Sequence, residues 1–216
     1  MKMLEFDRSK LLNDLAGLPT PLQTAFAAAC AQRLLVNYVA YAEDGARNAD
    51  PAAVSNALET LWGMIENNRF DDALLAKQYD VCVSLLPDYK REYIQGQEEA
   101  EDAVLSIAYA IRMRVDADAD FAVSAAEKAY DSLDHYLTEH HAIDISAPGA
   151  RQKIDAYPLM QLEFRRQQAD LAELHSAPKN AGSERAIISR MRRRAKRDAA
   201  PLDQLSLDQL RRRDGY

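Results

Sequence analysis

A chain of 216 residues with a formal net charge of −7 can bury one sizeable core without help from disulfides or metal. Alanine and leucine together number 62, against 21 for valine, isoleucine and threonine, with only 7 glycines; this excludes a hairpin-rich β fold and predicts an all-α one. No stretch reaches the ~18 uncharged apolar residues of a membrane span, and MKMLEFDRSKLL has no apolar segment of signal-peptide length, so a cytoplasmic protein without a membrane partner is expected.

The first helix is expected over Leu4 to Ala16, with Gly17 as a left-handed cap and Pro19 preventing continuation. TPLQ at 20–23 reads as a helix start: Thr20 caps, Pro21 takes the first helical position and Gln23 closes a capping box. Leu22, Phe26, Cys30, Leu34 and Tyr38 then recur every four residues, and EDG ends the helix at Gly45. DPAAV opens a third helix with the buried stripe Val54, Leu58, Leu61, Trp62 and Ile65. A fourth begins near FDDALL, its aspartates at the positive end of the dipole, and stops before Pro87. A fifth runs from about Gln97 through Val104, Ile107, Ile111 and Val115, and a sixth from about Asp120 with Val123, Ala126, Tyr130, Leu133 and Leu137. A seventh spans Pro158 to about His175, and SAPKNAGS, residues 176–183, reads as a linker.

Cys30 and Cys82 both sit in apolar contexts and read as buried free thiols of a reducing compartment. DADADFAVSAAE, residues 116–127, places Asp116, Asp118, Asp120 and Glu127 at positions 1, 3, 5 and 12 of a calcium loop. Phe121, however, stands where glycine makes the turn, so the aspartates read as caps for the sixth helix. DSLDHYLTEHH spaces Asp131, His135 and Glu139 at i, i+4, yet neither HExxH nor Glu-x-x-His occurs. A solvated helix end is expected there, with no metal and no other cofactor. GxGxxG, P-loop and GxSxG patterns are absent, so no catalytic residue is named; whether the chain is an enzyme stays open, with a binding role preferred. Glu98, Glu99, Glu101 and Asp102 read as dipole partners of the fifth helix, Asp102 partly buried.

The charge is unevenly spread. Residues 183–216 hold 10 basic and 5 acidic residues, a net of +5, which leaves −12 on the first 182. On a helical wheel SERAIISRMRRRAKR, residues 183–197, shows a narrow apolar seam of Ile187, Ile188, Met191 and Ala195. Arg190, Arg192, Arg193, Arg194, Lys196 and Arg197 cover the remaining circumference as a candidate surface for an anion or a partner. The seam can pack on its own domain, with the arginines paired to the acidic body. It can instead dock on an anionic partner, either protein or nucleic acid. A membrane surface is the third reading, which the narrow seam and the lack of Trp or Phe disfavour. With no aromatic in the tail before Tyr216, nucleic-acid binding would be directed at the phosphate backbone. LDQL occurs twice after Pro201, at 202–205 and 207–210, and reads either as an interaction peptide or as a frayed terminus.

CAQRLLVNYVAY, LETLW, AEDAVLSIAYAI, YDSLDHY and YPLMQLEF, in that order, resemble the YjaG-like family of uncharacterised bacterial proteins (domain of unknown function 416) over residues 20–175. The matching positions are Arg33, Asn37, Tyr38, Trp62, Asp102, Asp131, Asp134, Pro158, Gln161 and Glu163. The resemblance implies an all-helical single domain in the bacterial cytoplasm and gives none of these residues a role; the basic tail departs from the family's usual ending. The expectation is a single bundle-like all-α domain of about seven helices over 1–176, then a linker, a basic helix and a short tail over 177–216. Its expected function is contact with an unidentified protein, with the neutralising partner of a basic toxin as the analogy. The alternative is nucleic-acid association through the tail.

Overall fold

The computed structural model describes residues 3–46, 48–88, 93–141, 143–177, 181–202 and 204–206. Its helices are α1 (Arg8–Ala16), α2 (Thr20–Glu43), α3 (Pro51–Asn67), α4 (Asp72–Ser84), α5 (Gln97–Asp116), α6 (Ala119–His140), α7 (Ala150–Asp155), α8 (Pro158–His175) and α9 (Ala181–Asp198). No strand occurs among the described residues. The all-α expectation holds, with the short α7 folded into a junction where no helix is expected from the sequence.

Aspartates set several of the starts. Asp7 accepts the Lys10 N–H at 2.9 Å, so α1 begins at Arg8 rather than at Leu4. Asp50, Asp71 and Asp118 cap α3, α4 and α6 in the same way. The start of α2 differs from expectation, since Thr20 is already helical and Gln23 closes no capping box. The Gln23 carboxamide instead donates to the Leu15 and Leu18 carbonyls at 3.0 and 2.8 Å, satisfying the end of α1. Gly17 turns the chain at φ −78, without the left-handed conformation expected of it.

The central element is α2. Every residue from Leu22 to Leu35 is buried. Its alanines let neighbouring helices approach closely, and α3, α5, α6, α8 and α9 all pack on it. The stripe of α3 is buried throughout, Trp62 and Leu61 completely. Each such side chain contributes ~1.5–3 kcal/mol on removal from water. In α5, Val104, Ile107 and Ile111 are buried, but Val115, in the last turn, is 36% exposed and leaves the expected stripe.

A two-residue connection, Ala117 and Asp118, joins α5 to α6 as a hairpin. This removes any loop in which calcium could sit: Asp118 caps α6, Asp116 accepts from Arg112 at 2.5 Å, and Asp120 and Glu127 both pair with Arg8. The two cysteines are buried and free, and burial pushes the Cys82 thiol up to about 12.

The turn after His175 is not the edge of the packed body. Ile187, Ile188, Met191 and Ala195 of α9 join the same core cluster as α2, α3 and α5, and α9 lies chiefly against α2 and α3. A second cluster around Tyr130, Leu137, Met160 and Phe164 receives Leu202 and Leu205 from the first LDQL. The second LDQL, 207–210, lies outside the described residues.

Candidate functional site

Arg33 projects from the buried middle of α2, where an unpaired charge would be costly. Its Nε and Nη2 fork onto Glu163 of α8 at 3.0 and 2.7 Å, and its Nη1 donates to Asp170 at 2.9 Å. Burial works against the guanidinium charge, and the neighbouring groups, Glu163 foremost with Asp170, together outweigh it and keep the group ionised. The Gln167 Nε2 also donates to Glu163, at 3.1 Å.

The network continues into α9. Arg194 donates to Asp170 at 2.5 Å and to Glu173 at 2.6 Å, and Arg190 reaches Glu173 at 3.0 Å. On the opposite flank Arg192 pairs with Glu66 at 2.5 Å and with Glu59, and Lys196 holds Glu59 at 2.7 Å. Among the described residues Arg197 pairs only with its neighbour Asp198, at 3.6 Å. Arg193 is exposed and makes no ion pair with another described residue. Most of the basic helix is therefore tied to the acidic body, while Arg193 and Arg197 turn outward, as does Arg185, which reaches Asn67 at 3.3 Å. Glu59 and Glu66 are seven residues apart on α3, as are Glu163 and Asp170 on α8; that one-face spacing was the available signal for these partners.

The remaining family-matching residues divide between scaffold and surface. Asn37 donates to Ser132 Oγ at 3.1 Å, tying α2 to α6. The Tyr38 hydroxyl accepts the Asp50 N–H and donates to the Leu85 carbonyl, both at 3.3 Å, fixing two loops at once. Trp62 is core, with the Arg192 guanidinium 5.9 Å above its ring. Pro158 opens α8, and Gln161 clamps the backbone of Leu4 through both ends of its carboxamide.

Asp102, Asp131 and Asp134 lie on the α5–α6 face. Lys128 Nζ bridges Asp102 at 3.0 Å and Asp131 at 2.8 Å, and His135 Nδ1 lies 3.3 Å from the other Asp102 oxygen. The nearby Asp102 carboxylate is the chief cause that raises the His135 pKa above its ordinary value. Burial pushes the carboxyl of Asp134 upward, and one of its oxygens is buried without a hydrogen-bond partner. Glu99 shares that condition: it is 5% exposed, its Oε2 has no partner, and burial raises its pKa. Tyr93 donates to Glu98 at 2.9 Å and lies 3.5 Å from Glu139 on α6. Asp131 and His135 thus converge with Asp102, but they line none of the three cavities described next.

The most spacious of these, about 780 Å³, lies between the α2–α3 and α4–α5 connections, with Tyr41, Asn48, Asp88, Tyr93 and Gln97 among its walls. Two smaller hollows, about 80 and 30 Å³, adjoin Phe6 and Arg33. Among the described residues no group of three or more His, Cys, Asp or Glu is placed to hold a metal ion, and no helix is long and apolar enough to cross a membrane.

The chain belongs to the family described as protein of unknown function (DUF416), whose pattern matches residues 10–200. The match extends past residue 175 and takes in the basic helix α9. The fold is similar to the crystal structure, at 1.91 Å resolution, of a DUF416 family protein from Shewanella baltica OS155. The two are 22% identical over 83% of this chain and 92% of that one, with a TM-score of 0.71. No curated protein matches the chain.

Proposed function

We propose that this is a non-enzymatic binding protein that acts by contact with another protein, and that its contact surface is the acidic α5–α6 face. The observation that carries this reading is the uneven use of cations. The acids of α3 and α8 are covered by α9, whereas Glu98, Glu99, Glu139 and Asp134 sit on α5 and α6 with buried or crowded carboxyl oxygens. A basic protein is the complementary partner, as for a neutralising protein. A bacterial, reducing cytoplasm suits the two free buried thiols.

A photo-crosslinking residue at Glu139, and separately at Arg193, tests the assignment in the cell that makes the protein. One discrete, salt-sensitive protein adduct at 139 and none at 193 is expected. No adduct at 139 counts against the proposal.

The outward Arg193 and Arg197 favour nucleic-acid association as a second reading. Deleting α9 would strip the core, so charge reversal at these two residues is the proper control. Anisotropy with duplex DNA and RNA over a salt series should then show binding that the reversed protein lacks.

A further inference from the structure

Among the described residues the α5–α6 face holds one deeply buried carboxylate with no cation beside it. Wherever else a charged carboxylate is deeply buried at a helix junction, a cation answers it: Glu163 has Arg33, Asp170 has Arg33 and Arg194, and Asp102 has Lys128 and His135. Among the described residues Glu99 has none, and its Oε2 is buried with no hydrogen bond. Burial acts on it most strongly; its own backbone N–H partly answers the carboxyl, and Glu139, His135 and Glu98 act on it from nearby, two of them carboxylates. From α6, His140 stands 4.0 Å from Glu139; from the turn before α5, Tyr93 shares its hydroxyl between Glu98 and Glu139. His135 is engaged by Asp102 rather than by Glu99.

Resting on the acidic-face reading above, we infer that Glu99, with Glu98 and Glu139 at its rim, is the seat for an arginine side chain of a basic partner protein. A guanidinium is planar and carries five donors, so it can bridge two carboxylates and still fill a third acceptor. This chain uses the same solution repeatedly, with Arg33 bridging Glu163 to Asp170, Arg194 bridging Asp170 to Glu173, Arg192 bridging Glu59 to Glu66 and Arg8 bridging Asp120 to Glu127. An ammonium is a point charge that serves such a fork less well. A metal ion is disfavoured because no suitable donor group occurs among the described residues. A bound guanidinium favours the ionised form of Glu99, whose pKa is raised in the free protein by burial; binding therefore releases a proton.

The test uses the full chain, with a hexa-arginine peptide and a hexa-lysine peptide as probes, by calorimetry at low salt and mildly acidic pH. Two buffers of different ionisation heat report proton release. Glu99→Gln keeps the shape, Asp80→Asn removes a charge from exposed α4, and Glu139→Gln alters the exposed rim if the first variant folds poorly. Expected are tighter binding of hexa-arginine than hexa-lysine, roughly tenfold weakening by Glu99→Gln with loss of proton release, a smaller loss with Glu139→Gln, and no change with Asp80→Asn. If the wild type binds and Glu99→Gln binds equally well, the seat is refuted while the acidic face stands. If neither peptide binds the wild type, the acidic face itself is refuted, and the seat with it.

Discussion

Arg33 and Glu163, 130 residues apart in sequence, meet in a forked ion pair with a closest contact of 2.7 Å and side chains only 5% and 6% exposed. Breaking one side of a buried pair leaves the other charge stranded. Arg33→Ala should therefore lower the unfolding free energy by ~3–5 kcal/mol, and Glu163→Ala by a similar amount. Urea unfolding of both variants and of the double variant is the check. The double should cost much less than the two singles together; simple additivity would mean the residues act independently.

The same network fixes α9 to the body. Arg194→Ala should cost on the order of 2 kcal/mol, because it leaves one oxygen of the buried Asp170 unanswered. Arg193→Ala, one position away and exposed, should stay within about 0.5 kcal/mol of wild type. Equal effects in thermal or chemical unfolding would dissociate the ion pairs from the holding of α9.

His135 gives a pH dependence with a definite sign. Its folded-state pKa lies above 6.5, so the stability it gains from Asp102 is complete below 6.5 and is lost as pH rises through the folded value. An NMR titration should find the His135 midpoint above 6.5 and, in Asp102→Asn, back toward it. An unchanged midpoint in that variant would remove Asp102 as the cause.

Glu99 works in the other direction. A carboxyl whose pKa is raised on folding costs stability once the unfolded chain has ionised, above about 4.5, and costs nothing when both states are protonated. Glu99→Gln should be more stable than wild type at neutral pH, with the gain vanishing toward pH 4 or below. A loss of stability at neutral pH would show that the carboxylate is already satisfied in the free protein.

Ala117 stands at φ +53 between α5 and α6, where a side chain is strained by about 1–2 kcal/mol. Glycine relieves that strain while loosening the unfolded chain, so Ala117→Gly should stabilise by at most ~1 kcal/mol. A destabilised variant would mean that the alanine methyl packs better than the strain costs.

Local chemistry is what the amino-acid sequence displays most openly. Asp50-Pro51 and Asp71 announce helix starts because a cap needs only residues three apart, and the stripe from Val54 to Ile65 reads directly as a buried face. The pairing of charges is less open. The six basic residues over 190–197 look like an anion-binding surface because the carboxylates that four of them meet lie on α3 and α8, for Arg192 as far as 133 residues away in the chain. Gln23 resembles a capping residue, yet it serves the preceding helix, since the sharp approach of α1 brings two bare carbonyls to its carboxamide. Arg33 and Glu163 are marked by the family resemblance, while Glu99 looks like any acid in the first turn of a helix until its burial is seen.

The central place of α2 sets a problem of timing. A ribosome releases α2, with its buried run and Arg33, while Glu163, Asp170 and the covering seam of α9 are still unwritten. Until α8 and α9 are made, the central helix is therefore uncovered and its arginine has no counter-charge. The closing contacts of the core form only once α9 has been made, so the nascent protein needs shelter until then, and truncation within α9 should yield aggregates rather than a smaller domain.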